Sequence, residues 1–325
     1  MTGIGRYAFA NARARAMKSR LLERHAVMAA ARRTGASTPP ASALAQHRFH
    51  ELVAAYATLV ASYPAGGDLF LSLLRLHEIE NVKLAWRAVV RELSLEQWAP
   101  DWVELDRLAS IGREACAECR SLSALTDALK QTPYGAVAGA MRRAHSHDLA
   151  AAELGFDRWA SRRIADAALS LPPREHAARD LALAVVRERD LNVVRRAART
   201  YALPPDAMIG AVAYVADEIG AAAVMALGDW TPADGPIWAR LPRPWRRTVG
   251  RPADWDALTL AWRHARRESC RRAFLIDPFC LAPGLAVLLL HEEEVRGITA
   301  IHEAGANADR LPAVEWALAA GGLGA

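Results

Sequence analysis

The segment "LHEIENVKLAWRAVVRE", from Leu76 to Glu92, combines dense charge with an apolar stripe and carries an asparagine near its middle. Its apolar residues recur at intervals of three and four, which is the spacing of one face of an α-helix. Related segments follow at "VRERDLNVVRRAART" (Val186 to Thr200) and "LHEEEVRGITAIHEAG" (Leu290 to Gly305). Three such passages at nearly equal intervals indicate three helical subdomains of like construction.

The three passages can be superimposed on one another in sequence. Asn81 falls on Asn192 after a shift of 111 residues, and Asn192 falls on Gly297 after a shift of 105, with valine or isoleucine following each. An acidic residue precedes each position, offset by one in the second copy: Glu78, Asp190 and Glu294. A period above 100 residues is too long for the usual solenoid repeats, which favours subdomains over a stacked array.

The rest of the chain also has helical patterning, with breaks at Pro- and Gly-rich turns and no convincing strand alternation. We therefore predict an all-α protein. Asp68 is a candidate N-cap for the helix of the first passage. The other predicted helices cover approximately residues 5–33, 41–62, 102–119, 121–130, 133–152, 156–170, 174–201, 204–230, 255–276, 281–304 and 311–320.

Charge is unevenly distributed along the chain. The formal net charge is +5, but residues 1–33 and residues 240–272 each carry +7, which leaves −9 on the remainder. Such asymmetry suggests an anionic partner, such as an acidic protein, a lipid surface or nucleic acid, although two solvated arginine-rich helix faces give the same pattern. The candidate partner contacts lie on one side of the helix "WRHARRESCRR": Arg263, Arg266, Arg267 and Arg271.

Motifs for catalysis or cofactor binding are absent from the sequence. No phosphate-binding loop, zincin helix or nucleophile elbow is present. One set of residues could bind zinc, which would suit a metal-dependent helical enzyme, although a mid-helix C-x-x-C more often only packs: Cys116, Cys119, His145 and His147. The acidic run Glu292 to Glu294 fits a solvated face or a docking patch. We expect no cofactor, no metal site and no catalytic residue.

The cysteines and the apolar stretches indicate in which cellular compartment the protein is found. Four scattered cysteines do not form a disulfide framework in a chain of 325 residues. No apolar segment follows the basic N-terminus, and the most apolar stretch, Leu281 to Leu290, is too short to span a membrane. The expectation is a soluble cytoplasmic protein.

Motifs along nearly the whole chain resemble, in order, those of the C/d-type stalk proteins of rotary V-type and archaeal A-type ATPases. "RYAFANARARAMKSRLL" is similar to the N-terminal helix of that family, "HEIENVKLAWRA" and "RDLNVVRRAAR" to its acid–Asn helices, and "DPFCLAPGLAVLLLHEEEVRGITAI" to its C-terminal helix pair. The positions that match the family motifs are Tyr7, Asn11, Arg13, Arg15, Glu78, Asn81, Lys83, Arg87, Asp190, Asn192, Asp277, Pro278, Phe279, Glu294 and Arg296.

The resemblance implies a funnel of three related helical subdomains about a pseudo-threefold axis, at residues 1–110, 111–215 and 216–325. It implies a non-catalytic central-stalk subunit that couples the stalk to the membrane proteolipid ring in ion transport, with H⁺ as the expected ion and Na⁺ as the alternative. Its partners would be the stalk subunits and the ring, not nucleic acid, and it would lie peripherally on the cytoplasmic side of the membrane. The alternative is a helical scaffold that binds nucleic acid or anionic lipid through its arginine-rich faces.

Overall fold

A computed structural model describes residues 3–21, 40–63, 66–145, 148–276 and 279–305. These residues contain fifteen α-helices and no β-strand, which confirms the all-α prediction. The helices are α1 Gly3–Lys18, α2 Pro40–Ser62, α3 Gly67–Val90, α4 Leu95–Trp98, α5 Arg113–Ala117, α6 Leu122–Leu129, α7 Gly135–His145, α8 Leu149–Leu169, α9 His176–Arg199, α10 Pro205–Ala211, α11 Val215–Ile219, α12 Ala221–Gly228, α13 Arg243–Val249, α14 Trp255–Ile276 and α15 Ala282–Gly305.

The long helices follow the apolar stripes from which they were predicted. α14 has the predicted bounds, and α2, α9 and α15 lie within two residues of theirs. In α14 the stripe residues Trp255, Leu258 and Trp262 are all buried. Asp68 lies inside the first turn of α3, so it does not precede the helix as an N-cap. A stripe of apolar side chains buried on one face stabilises a helix of this length far more than local propensity does.

Two predicted helices are wrong. The range 102–119 is mostly irregular and holds only α5 and a short 3-10 turn at Asp106–Leu108. The range 204–230 is divided into α10, α11 and α12, with extended backbone at Val212 and a positive φ of 85° at Gly220. A helix cannot continue through either conformation, and glycine adopts the second without steric cost.

Other boundaries differ from the predictions by part of a helix. α7 ends at His145, so the range 133–152 is not one helix, and α8 begins at Leu149, seven residues before its predicted start. α1 ends at Lys18, inside the range predicted to be helical to residue 33. The predicted helix at 311–320 lies outside the described residues.

The chain forms two compact units. The described residues of the first unit lie within 1–70, 168–188 and 231–325, and α15 is central to it because it packs against α1, α2 and α14. The buried aromatic residues Tyr56, Tyr63 and Phe70 belong to this unit. Tyr63 meets Phe70 edge to face, with ring centroids 5.5 Å apart, a favoured aromatic geometry.

The second unit comprises residues 71–167 and 189–230. Its core includes Trp86 and Phe156, whose rings meet edge to face at 5.2 Å. α6 packs against α7, and α12 packs against α10 and α11. The predicted subdomains at 1–110, 111–215 and 216–325 do not coincide with these units. A threefold relation among those subdomains stays a prediction.

Candidate functional site

Glu78, on the buried face of α3, holds a distant loop against the helix. One carboxylate oxygen accepts the backbone N–H groups of Ser110 and Ile111, the latter at 3.1 Å, and the other accepts the Tyr134 hydroxyl at 2.5 Å. Glu78 is 1% exposed. Burial, followed by the neighbouring Glu78 charge, raises the pKa of Tyr134, which therefore remains a hydrogen-bond donor. The first acidic position of the family motif thus has a structural role.

Asn81, three residues further along α3, pairs with the backbone of Val103. Its amide nitrogen donates to the Val103 carbonyl at 2.7 Å, and its amide oxygen accepts the Val103 N–H at 2.9 Å. These two hydrogen bonds satisfy both the N–H and the carbonyl of Val103. Val103 therefore does not need helical hydrogen bonds to satisfy its backbone. It accounts for the irregular backbone where a helix over 102–119 was predicted.

Asp190 does in α9 what Glu78 does in α3. Its buried carboxylate accepts the backbone N–H groups of Ala213 at 3.1 Å, Tyr214 at 2.7 Å and Val215 at 2.9 Å. Burial raises the pKa of Asp190 even though these three hydrogen bonds lower it. The turn held in this way separates α10 from α11, which explains why the predicted helix over 204–230 is broken.

The second asparagine of the motif does not repeat the role of the first. Asn192 is half-buried, and no side-chain hydrogen bond joins it to any other residue that the structure describes. The residue that superimposes on Glu78 after the shift of 111 is Arg189, whereas the residue with the equivalent contacts is Asp190. Asp190, the acid that is offset by one position in the sequence, therefore has the structural role in α9 that Glu78 has in α3.

Lys83 belongs to a buried charge network centred on Asp157. Lys83 Nζ lies 2.8 Å and Arg189 Nη2 lies 3.2 Å from the same Asp157 oxygen, and Arg196 contacts the other oxygen. Although burial by itself raises the pKa of Asp157, the charges of Lys83 and Arg189 more than offset it, so the pKa lies below its usual value. Lys83 also pairs with Glu80 at 2.7 Å, where Lys83 is only 3% exposed but 46% of the Glu80 side chain is exposed.

Arg87, the last motif position in α3, pairs with Glu153 through Nε at 2.7 Å. About one-third of the Arg87 side chain is exposed, so this pair lies at the edge of the charged network rather than inside it. Four motif residues of α3 thus make contacts within the second unit: Glu78, Asn81, Lys83 and Arg87.

The N-terminal motif attaches α1 to the last turn of α14 and to the segment that precedes α15. Asn11 donates to the Cys280 carbonyl at 3.3 Å, and Arg15 donates to the Phe274 carbonyl at 3.0 Å. Tyr7 donates at 3.0 Å to Glu175, whose other oxygen accepts the Leu281 N–H at 2.7 Å, immediately before α15. Buried backbone groups between two helices are thereby satisfied by side chains.

The remaining residues of these motifs have more peripheral positions. Arg13 donates to Ser62 at 3.3 Å, with its guanidinium 4.3 Å from the Phe9 ring centroid. Phe279 is 45% exposed. Asp277 and Pro278, which complete the predicted Asp-Pro-Phe motif, lie outside the described residues.

Two of the four arginines proposed as partner contacts are buried. Arg266 Nη1 lies 2.6 Å from Glu188, its Nη2 contacts Glu293, and Arg267 lies 3.5 Å from Glu293. Only 3% of the Arg266 side chain and 7% of the Arg267 side chain are exposed. Burial raises the pKa of Glu188, but Arg266 and then Arg263 outweigh it, and the pKa is lowered. These charges stabilise the first unit whether or not they also meet a partner.

Arg263 and Arg271 remain accessible. Arg263 donates to Glu188 at 3.0 Å with 41% of its side chain exposed, and Arg271 pairs with Glu268 at 2.7 Å with 36% exposed. Their role as partner contacts stays a prediction, now limited to the accessible side of α14.

The acidic run of α15 does not form a solvated face. Glu292 and Glu294 are buried, where Glu292 accepts the Tyr56 hydroxyl and Glu294 pairs with Arg48 at 2.7 Å. Arg296, a motif residue, lies 3.4 Å from Glu292 and 3.3 Å from Glu293. The expectation of an acidic docking patch at this run is wrong, because each carboxylate has a partner within its own unit.

The C-x-x-C pair lines a cavity of about 250 Å³ in the second unit, together with Trp98 and Arg120. The pair is not in mid-helix as expected, because α5 ends at Ala117, before Cys119. Burial raises the pKa of Cys116 to about 12, which favours the thiol over the metal-binding thiolate. Within the described ranges no three His, Cys, Asp or Glu side chains cluster as metal ligands would, and His147 lies outside those ranges.

The polar residues that sequence reasoning missed are mainly the partners of the motif residues: Arg48, Asp157, Glu175 and Glu188. Asp157 had a detectable signal. It lies on the apolar stripe of α8, three residues after Leu154 and seven before Ile164, and all three are buried. An acid at a core position of a helical stripe indicates a buried cation nearby.

The fold and these contacts define an all-α protein whose distinctive polar residues are used to join its own helices and loops. A family model described as ATP synthase (C/AC39) subunit matches residues 34–310. The chain therefore belongs to this family of rotary ATPase subunits, as its motifs led us to expect. No curated protein was found to match it. None of the described helices has an apolar stretch of the length needed to cross a bilayer.

Proposed function

We propose that the protein is a non-catalytic central-stalk subunit that couples the central stalk of a V/A-type ATPase to the membrane proteolipid ring during proton transport. The family match over residues 34–310 carries this proposal. In the proposed role, the protein is a peripheral component on the cytoplasmic side of the membrane, with the stalk subunits and the ring as its partners.

The contacts of the motif residues support a mechanical role. Glu78, Asn81 and Asp190 each fasten a loop to a long helix through buried hydrogen bonds. Asp157 and Glu188 are each neutralised by two or more cations. Breaking such buried pairs is costly, so each unit resists internal deformation. A subunit that transmits torque needs this property.

Affinity purification from native membranes, followed by identification of the co-purifying subunits, tests the proposal. We expect the tagged chain to retain central-stalk and proteolipid subunits in stoichiometric amounts. Recovery of the intact chain without either of them, from membranes that contain an assembled rotary ATPase, would contradict the coupling role.

A charge-reversal pair then tests the electrostatic part of the interface. Arg271→Glu alters an accessible arginine, whereas Arg142→Glu alters an exposed arginine in the last turn of α7. We expect the first change to reduce retention of the complex at low salt and to make retention less dependent on salt, because an attraction that salt screens over a Debye length of about 10 Å at 0.1 M has been removed. Equal retention of both variants at all salt concentrations would place the interface elsewhere.

A further inference from the structure

The basic segment 240–272 is divided by the structure into two kinds of arginine. Four of the five arginines of α14 face carboxylates: Arg263 and Arg266 contact Glu188, Arg267 lies near Glu293, and Arg271 pairs with Glu268. Arg240, which precedes α13, pairs with Asp234. The arginines in and after α13 do not face carboxylates. No carboxylate of the described chain lies within ion-pair distance of any of these four: Arg243, Arg246, Arg247 and Arg251. The unneutralised positive charge of the segment is therefore concentrated around α13.

These four arginines and Trp238 line a cavity that is open to solvent. The cavity has a volume of about 360 Å³, and Gly250 completes its lining. The guanidinium carbons of Arg251 and Arg246 lie 5.1 Å and 5.9 Å from the Trp238 ring centroid. The lining includes no acidic side chain. Like charges gathered in this way repel one another, and a bound anion relieves the repulsion.

The backbone holds this arrangement in place without any ligand. Ile237 N–H donates to the Ala253 carbonyl at 3.0 Å and Trp238 N–H to the Pro252 carbonyl at 3.2 Å, so two loop segments run side by side. α13 ends at Val249 and is followed by Gly250, whose φ of 71° turns the chain back toward Trp238. A positive φ of this kind is easily adopted only by glycine. The backbone around the cavity is thus preorganised, which lowers the part of the entropic cost of binding that comes from ordering the chain.

The base of the cavity is attached to the core of the first unit. Trp245, in the middle of α13, is buried and meets Trp262 of α14 edge to face, with ring centroids 5.2 Å apart. This contact turns the opposite side of the short helix, with Arg246 and Arg247, toward solvent. The arginines are therefore exposed on a rigid support.

We propose that Trp238, Arg243, Arg246, Arg247 and Arg251 form a binding site for a small anion that carries two or more phosphate groups. The cavity volume is that of a small-molecule site, for which about 300–1,000 Å³ is usual. Guanidinium groups bind phosphate oxygens through two parallel hydrogen bonds, and four of them require several negative charges in one ligand. The source is either a soluble polyphosphate or the phosphorylated headgroup of a lipid.

Calorimetry with inorganic triphosphate tests the site on the full chain. Arg246→Gln/Arg247→Gln is compared with Arg142→Gln/Arg143→Gln, which removes an adjacent exposed arginine pair from the last turn of another helix. We expect saturable binding by the parent and the control, and affinity about tenfold lower or weaker still in the first variant, since charge-assisted hydrogen bonds are lost. Orthophosphate should bind the parent much more weakly than triphosphate.

A spectroscopic readout locates the ligand independently of affinity. Triphosphate should change the indole fluorescence of the parent, and Trp238→Phe should remove that change while circular dichroism shows an intact helical fold. A fluorescence change that persists in this variant would overturn the assignment of Trp238 to the site.

Vesicles distinguish the two sources of phosphate. Retention on vesicles of phosphatidylcholine with a phosphoinositide, lost in Arg246→Gln/Arg247→Gln and kept in the control pair, supports a lipid headgroup. Triphosphate binding without vesicle retention supports a soluble ligand. The proposal fails if neither probe binds saturably, if orthophosphate binds as tightly as triphosphate, or if the two double variants behave alike.

Discussion

Asp157→Asn is the change that most directly tests the buried charge network of the second unit. The carboxylate is 3% exposed and faces Lys83, Arg189 and Arg196. An asparagine has a similar shape but no charge, so it leaves three cations with one negative charge fewer. Removing one member of a buried pair costs about 3–5 kcal/mol. Lys83 still pairs with Glu80 in the variant, and 38% of the Arg196 side chain is exposed to water. We therefore expect the free energy of unfolding to fall by about 3 kcal/mol, the lower end of that range.

The matched control is Asp166→Asn, on the same helix. Asp166 pairs with Arg162 at 3.0 Å, and about half of each side chain is exposed. An exposed pair is worth about 0–1 kcal/mol. Urea unfolding followed by helical circular dichroism measures both variants. Both positions belong to the second unit, so we expect the two changes to act on the same unfolding transition.

Two further measurements connect the loss to charge. Lys83→Met in the Asp157→Asn background should recover part of the stability, because it removes a buried cation that has lost its main partner. The pKa of Asp157 is lowered from 3.8, so its stabilising contribution is present above that pH and is lost as the pH falls through the lower folded value. Asp157→Asn should lack this acid-dependent component. If Asp157→Asn lowers the free energy of unfolding no more than Asp166→Asn does, the charge network does not stabilise the second unit as we argue.

Three other predictions concern separate residues. Glu78→Gln should destabilise the protein by about 1–3 kcal/mol and accelerate proteolysis in the loop that Glu78 holds, whereas unchanged cleavage would contradict its role. Burial, and then the Arg48 charge, lowers the pKa of His291 from 6.5 to about 4, so stability should fall with acid between these values, and urea titrations of His291→Gln should show a shallower fall. Burial raises the pKa of Cys116 to about 12, so it should react with a thiol reagent much more slowly than the partly exposed Cys119, and comparable rates would argue against its burial.

The long helices could be predicted from sequence because their signal is local. In α14 the apolar residues recur at helical spacing over its whole length, and the structure has the bounds that this pattern indicates. The family motifs were equally accessible, because each lies within one helix or one turn. Their resemblance pointed to the family that matches residues 34–310.

Helix breaks and charge partners could not be predicted in the same way, because they depend on residues far apart in sequence. Val103 lies outside any helix and pairs through its backbone with Asn81, and the turn after Ala211 is held by Asp190. The small residues between Pro205 and Gly228 have no pattern that indicates this competition with a helix. A side-chain acceptor more than twenty residues away decides the local backbone.

The amino-acid sequence by itself determined the all-helical class, the long helices and the family, since periodicity and motifs are properties of neighbouring residues. Only the tertiary structure decided which charges face solvent. Arg266 and Arg246 are both arginines in one basic segment, yet Glu188 and Glu293 surround the first, and the second lies exposed beside Trp238. A charge can be buried only where oppositely charged groups from elsewhere in the chain meet it, and helical spacing carries no information about those groups.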